Sequence, residues 1–349
     1  MKISIEKRVF HFKQPAGTSR GTYTTRTSWI LHVTDRAMPG HEGTGECAPL
    51  PRLSCDDIPD YEKVLRGICD RVESEGQIPY DLLRPYPSML FGLETALLDL
   101  HADNVLFDTP FSRGEEGITI NGLVWMGTYD EMLRRIEEKI DHGFGCVKLK
   151  IGAIDFEREM ALLRGVRQRF TASDIQLRVD ANGAFAPDEA LEKLHRLAEY
   201  DIHSIEQPIR QGQWREMARL CQSSPIPIAL DEELIGVNMP EEKRMLLDTI
   251  RPRYIILKPS LHGGMRGSEE WIEMARNRGI DSWVTSALES NIGLNAIAQF
   301  TAYVYGDNLV LAQGLGTGQL FTDNIDSPLY IDGDKLWFNS HHHDTRRIS

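Results

Sequence analysis

Five short segments decide the fold: CVKLKI (146–151), IQLRVD (175–180), HSIEQP (203–208), PIALDE (227–232) and YIILKP (254–259). Each is a β-rich run with a charge near its C-terminal end. Lys148 and Lys150 belong to the first, and Asp180, Glu206, Asp231 and Lys258 close the other four. The steps from Lys150 onward are 30, 26, 25 and 27 residues, one strand plus one helix each. Further candidates, ITINGLVW (118–125), SWVTSA (282–287) and NLVLAQ (308–313), bring the strands to eight. Between them lie amphipathic helical runs such as Tyr129–His142, Glu157–Arg169, Pro187–Tyr200, Pro240–Ile250 and Glu269–Arg278. Two of these open with Pro at the first helical position, an ordinary start signal. Eight strand–helix alternations in about 200 residues point to a closed parallel barrel, with an open doubly wound sheet as the competing architecture.

Alternation assigns the faces. Val147 and Leu149 share one side of their strand and the two lysines the other. Leu177 and Val179 oppose Arg178 and Asp180, and Ile205 opposes Ser204 and Glu206. The apolar set suits a helix-covered exterior, so the charged set points into the barrel mouth, the end where barrel active sites lie. Buried charges must pair or bind metal. An internal network of ion pairs is one answer, but it is a costly way to fill a core. A chemical site is the other. Asp180, Glu206 and Asp231 form an all-oxygen set without His or Cys, which favours Mg²⁺ with Mn²⁺ as a substitute. Lys148 and Lys150, about 7 Å apart on one strand face, should repel and lower the basicity of one or both. Lys258, four strands on, faces them across the substrate. A cation with opposed lysines suits proton removal next to a carboxylate.

The rest of the chain fits around this. The 349 residues correspond to about two domains at ~150 residues each, and we expect an α+β unit at 1–115, a barrel at 116–320 and a tail at 321–349 returning to the first unit. Ser4–Phe12, Ser28–Val33 and His41–Pro51 read as strands, and Asp57–Glu75 and Ser88–Asp103 as helices, the second apolar on much of its circumference. Pro15–Thr27, rich in Gly, Ser and Thr, reads as a mobile loop. LYIDGDKLWF (329–338) reads as a hairpin. With 39 basic and 52 acidic residues the net charge is −13, which disfavours nucleic acid and anionic membranes as partners. An apolar content of 41% argues against disorder. No apolar run reaches the ~18 residues of a membrane span, and MKISIEKRVF has no apolar signal core. Five cysteines without CxxC spacing argue against a disulfide framework and for a reducing cytoplasm. GLGTG (314–318) lacks a following helix and is a poor dinucleotide motif, while His341–His343 reads as a solvated tail.

The ordered set KLK (148–150), RVDANG (178–183), IEQP (205–208), ALDE (229–232) and ILKP (256–259) resembles the enolase superfamily, in its muconate-lactonising subgroup. That resemblance covers nearly the whole chain and implies an α/β fold, a (β/α)7β TIM-like barrel with an N-terminal α+β capping domain. It implies Mg²⁺ held by Asp180, Glu206 and Asp231, with Asn182 behind them. It implies Lys150 as the proton-abstracting base, Lys148 beside it and Lys258 opposite. GECAPLP (45–51), ALLDL (96–100), SALESNIG (286–293) and GLGTGQLF (314–321) are most similar to members that dehydrate 2-succinyl-6-hydroxy-2,4-cyclohexadiene-1-carboxylate in menaquinone biosynthesis. The implied partner is thus a small-molecule carboxylate; no oligomeric state is implied. Arg178, Ser286, Glu289, Gly314, Gly316 and Thr317 would line the pocket, and Arg20, in a closing loop at Thr18–Gly21, would meet a substrate carboxylate. GLGT (314–317) departs from the GLDT expected of many relatives. N-acylamino-acid racemases and dipeptide epimerases share this scaffold and form the alternative, although dipeptide epimerases usually carry Asp-x-Asp after strand eight. A Schiff-base aldolase and a non-catalytic barrel are more distant alternatives.

Overall fold

The computed structural model describes all residues except 19–20, 103–104, 126, 153–154 and 343–349. The first part contains β1 (Lys2–Thr18), β2 (Gly21–Thr34), β3 (Glu42–Cys47), α1 (Tyr61–Glu75), α2 (Tyr80–Leu83) and α3 (Pro87–Ala102). Its strands form an antiparallel sheet in the order β1-β2-β3. The hairpin β1–β2 is longer than expected. Its pairing extends from Lys2↔Thr34 to Thr18↔Gly21, with a register shift between His11 and Ala16. Most of Pro15–Thr27 is therefore strand rather than loop. Tyr23, Arg26, Ser28 and Ile30 are buried along β2, so Thr-rich composition here reflects β preference, not turn chemistry.

The second part alternates strands and helices: β4 (Ile118–Thr119), β5 (Gly122–Val124), α4 (Tyr129–Asp141), β6 (Cys146–Lys150), α5 (Phe156–Arg169), β7 (Gln176–Asp180), α6 (Pro187–Ala198), β8 (Ile202–Glu206), α7 (Trp214–Ser223), β9 (Ile228–Leu230), α8 (Pro240–Ile250), β10 (Tyr254–Leu257), α9 (Gly264–Arg276), β11 (Asp281–Val284) and α10 (Asn291–Tyr305). Strands β5 to β11 form one parallel sheet in chain order. Lys150 is in register with Asp180, and Asp180 with Glu206. Val147, Leu149, Leu177, Val179 and Ile205 are fully buried in the large core against the helices. Ala229, Tyr254, Ile256 and Trp283 form a separate small cluster.

The expected strand at 308–313 is reduced to bridges. Ile120 pairs with Gln313 and Thr285 with Gly314, so one short segment touches both edges of the curled sheet. The Gln313 side chain replaces part of a ladder: it accepts from Val284 N at 2.7 Å and donates to Leu311 O at 2.7 Å. The tail hairpin, β12 (Leu329–Asp332) and β13 (Lys335–Phe338), pairs with β4, while Phe321 packs on Phe10 and Ile30 of β1 and β2. Among the described residues no helix is long and apolar enough to cross a membrane.

Helix α3 joins the two parts. A side chain at Gly43 or Gly45 would strike the Ala96 or Gly92 carbonyl oxygen at 2.0 Å, and one at Gly92 the Cys47 sulfur at 2.3 Å. Glycine at these places lets helix and strand backbones touch. From the same helix, Glu94 accepts from the first amides of α9, Met265 N at 2.6 Å and Arg266 N at 3.2 Å. This is a helix cap supplied by another element.

Burial raises the Glu94 carboxyl to about 8, against the two amide bonds that lower it. An unfolded glutamate titrates near ~4.3. The folded protein therefore retains a proton that the unfolded chain releases, and this group's contribution falls as pH rises from about 5 through 8. We predict that Glu94→Ala costs about 2–3 kcal/mol. The Tm difference between Glu94→Gln and the unmodified protein should shift in favour of the mutant from pH 5 to pH 8.5. A pH-independent gap in thermal melts would refute the assignment.

Candidate active site

The charged ends of the parallel strands meet at one cavity of about 100 Å³, lined by Lys148, Lys150, Asp180, Asn182, Asp231, Glu232 and Lys258 on one side. Leu50, Leu53, Leu123, Trp125, Trp283 and Leu288 give it an apolar remainder. A roomier pocket of about 260 Å³ near Leu315 and Tyr330 contains no basic residue, so the chemistry belongs to the first.

The polar side is a lattice of opposite charges. Lys148 Nζ lies 2.5 Å from Glu206 Oε2 and 3.2 Å from Asp180 Oδ2. Lys258 Nζ is held by both Asp231 oxygens at 2.6 Å. Lys150 is tied more lightly. It donates to Asn182 Oδ1 at 2.8 Å, reaches Asp180 only at 3.3 Å, and lies 5.9 Å from the Trp125 ring centroid. Asn182 in turn donates to Glu232 Oε1 at 3.0 Å.

Burial opposes charge on Lys148, but Glu206 and Asp180 outweigh it and hold its ammonium well above the usual range. Lys258 is likewise raised, burial being outweighed by Asp231 and Glu232. At Lys148 the interleaved carboxylates dominate over repulsion within the lysine pair. Asp180 is held well below the carboxylate range because Lys150 and Lys148 outweigh its burial. Glu206 is pushed up to about 7 by burial and by Asp180 and Asp231, against the lowering effect of Lys148.

Some sequence candidates lie elsewhere. Arg178 is one layer below the cavity. Its guanidinium stacks 4.2 Å from the Trp283 ring centroid and donates to Ala312 O at 2.8 Å, so the indole separates it from substrate space. Glu289 is fully buried behind the wall, accepting from Ala287 N at 2.7 Å and from the Ser260 hydroxyl. Neither lines the cavity. Ser286, Gly314, Gly316 and Thr317 do, with Ser286 and Thr317 hydroxyls 2.5 Å apart. At Gly314 a side chain would meet Thr285 Oγ1 at 2.2 Å. Arg20 lies outside the described residues.

Two contributors escaped the sequence reading. Glu232 enters the cavity because β9 ends at Leu230 and the chain turns, so Asp231 and Glu232 no longer point to opposite sides. Gln207 supports Asp231 from below. It is fully buried with a left-handed φ of 38°, and its side-chain oxygen accepts from Asp231 N and Glu233 N at 3.2 Å. The QP following Glu206 was the available signal.

The donor set can be tested against a cation. Asp180, Glu206 and Asp231 offer only oxygen, as hard divalent ions require, and Glu206 Oε1 is buried without a hydrogen-bond partner. Among the described residues no three such groups already close around one point. Lys148 sits between Asp180 and Glu206, and Lys258 sits on Asp231. The set fits a divalent cation in chemistry and in its unsatisfied oxygen.

A family model described as enolase C-terminal domain-like matches residues 131–334. The o-succinylbenzoate synthase of Desulfotalea psychrophila is 46% identical, over 96% of this chain and 98% of that protein. The crystal structure of MenC from the same organism superposes with a TM-score of 0.82, covering 97% of this chain and 99% of that one at 43% identity. The L-Ala-D/L-Glu epimerase of Bacillus subtilis is 29% identical over 86% of this chain and 84% of its own length. The chain therefore belongs to the enolase superfamily and, within it, to the family of the o-succinylbenzoate synthases.

Proposed function

We propose that this hydro-lyase of the enolase superfamily dehydrates 2-succinyl-6-hydroxy-2,4-cyclohexadiene-1-carboxylate to 2-succinylbenzoate, a step of menaquinone biosynthesis, with Lys150 as the base. The observation that carries the assignment is the unequal tethering of the three lysines. Lys148 and Lys258 are locked to carboxylates at 2.5–2.6 Å, whereas Lys150 faces the cavity with one long ion pair and an amide oxygen.

Lys150, as the free amine, takes the proton α to the substrate carboxylate at Nζ. It then returns that proton to the departing hydroxyl on the same face, which leaves as water. The balance is one proton and one hydroxide lost from the substrate and none from the enzyme. Asn182 orients Nζ by accepting from it while donating to Glu232. Lys258 retains its proton and offers positive charge to the opposite ring face, a cation–π contact once the ring is aromatic. Superfamily members use a divalent metal; here Asp180, Glu206 and Asp231 would hold Mg²⁺, with Mn²⁺ as a substitute. When bound, the ion supplies positive charge opposite the substrate carboxylate as the second negative charge develops. Ser286, Gly314, Gly316 and Thr317 form part of the pocket wall, with Arg20, in the segment toward the succinyl arm, as a further carboxylate partner.

We also infer a closed (β/α)7β barrel over 116–320 with 1–115 as its capping domain; the tail from 321 returns to that domain through Phe321, while its hairpin pairs with β4 of the barrel unit. The bridges from Gln313 and Gly314 to both sheet edges support closure. The five unpaired cysteines support a reducing cytoplasmic location. Racemisation of N-acylamino acids, or dipeptide epimerisation, is the second reading, because opposed lysines are what two-faced proton exchange needs.

Lys150→Ala should lower kcat by at least about 10³-fold, and EDTA should abolish turnover, both followed as loss of diene absorbance with Mg²⁺. Conversion that persists in EDTA would reject the metal assignment. Mg²⁺ should raise the Tm of metal-free protein in a concentration-dependent way, and Glu206→Gln should lose most of that rise. Lys258→Ala should retain more dehydration than Lys150→Ala. It should also stop any solvent deuterium exchange into N-succinyl amino acids; no exchange by the unmodified protein would remove the racemase reading.

A further inference from the structure

One buried guanidinium stands where the two apolar walls of the cavity meet. Arg26 on β2 is 1% exposed. Its Nη1 donates to Pro49 O at 2.7 Å, and its Nη2 to Ala48 O at 2.5 Å and Ala287 O at 3.3 Å. Glu46 and Glu289 lie within electrostatic reach, but the hydrogen bonds of Arg26 go to main-chain carbonyls. Tyr23, on the same strand, donates to a further carbonyl of that segment, Pro51 O, at 2.7 Å.

These carbonyls belong to two separate walls. Leu50 and Leu53 reach the cavity from the segment after β3, and Leu288 from the segment after β11. Leu50 and Leu288 share one buried cluster with Ala16 and Tyr23, with Leu53 and Trp125 packed against it. Leu288 has a left-handed φ of 64°, uncommon for a branched side chain. The residue before it is gripped on both sides: Glu289 accepts from Ala287 N, and Arg26 donates to Ala287 O. A planar fork of donors can span carbonyls of two chain segments, whereas an ammonium is a single point.

We infer that Arg26 is a specificity-determining positioning residue: without reaching the reacting atoms, it fixes the spacing between the Leu50/Leu53 wall and the Leu288 wall, and so selects carboxylates with a compact apolar body. This rests on the reading that the cavity holds the substrate. Loosening the fork therefore weakens substrate binding while leaving Lys150, held by Asn182 and Asp180, in place.

The test compares the unmodified protein with Arg26→Lys, Tyr23→Phe, Leu50→Ala and the Arg26→Lys/Leu50→Ala double variant. Arg26→Lys should raise KM by about 10-fold with kcat within about 3-fold, and Tyr23→Phe should raise KM by about 3-fold. The double variant should raise KM by less than the product of the two single effects, because both changes loosen the same pair of apposed walls. Multiplying KM effects, or a fall in kcat at unchanged KM, would overturn the inference. Should Arg26→Lys fail to fold, the cycle of Tyr23→Phe with Leu50→Ala gives the same decision. Binding of 2-succinylbenzoate, read through quenching of tryptophan fluorescence, separates this inference from the reaction itself. Binding about 10-fold weaker in folded Arg26→Lys supports it even if the unmodified protein does not turn over, an outcome that refutes only the reaction. Equal binding by both proteins refutes the role of Arg26.

Discussion

The site depends on amino groups and carboxylates that share a space nearly closed to water. Lys148, Lys150 and Lys258 face Asp180, Glu206, Asp231 and Glu232, and the four carboxylates are almost wholly buried. Any one of these groups alone would be expensive to bury. Together they decide one another's protonation. Lys148 and Lys258 remain cations, Asp180 remains an anion, and Glu206 is crowded by its like-charged neighbours. The excess of carboxylates over amines, together with the orphaned oxygen of Glu206, leaves the lattice receptive to added positive charge.

Ordinary strand geometry makes this lattice possible. In-register pairing of β6, β7 and β8 sets Lys150, Asp180 and Glu206 side by side. The chain then leaves the strands through left-handed residues, Asn182 at φ 46° and Gln207 at φ 38°. Both are amides whose side chains hold neighbouring site groups. Backbone strain and side-chain support thus reside in the same residues.

Much of this was legible in the chain because charges in β-rich runs are conspicuous. Period two assigned Lys148, Lys150, Asp180 and Glu206 to one face, and the regular spacing of charged strand ends added Asp231 and Lys258. The same rule is blind to depth along that face. Arg178 shares the face with Asp180 yet lies a layer lower, beneath Trp283. The rule also fails where a strand stops, which is why Glu232 was overlooked one residue after Asp231. Pairwise reasoning about lysine repulsion left out the carboxylates of the adjoining strands, which dominate at Lys148. The Thr-rich hairpin was misread because composition does not distinguish a turn from a two-stranded ribbon, and only pairing does.

Helix α3 shows how distant parts of such an enzyme are mechanically joined. One side lies on bare strand backbone at Gly43 and Gly45, with no side chains to absorb a displacement. The other side delivers Glu94 to the start of α9, the helix that follows Lys258 in the chain. A rod clamped so tightly at both sides transmits movement instead of damping it. A methyl group added at the glycine contact would have to push strand and helix apart, and with them the helix that carries Glu94 to α9, which makes this outwardly inert seam an unforgiving place for the chain to vary.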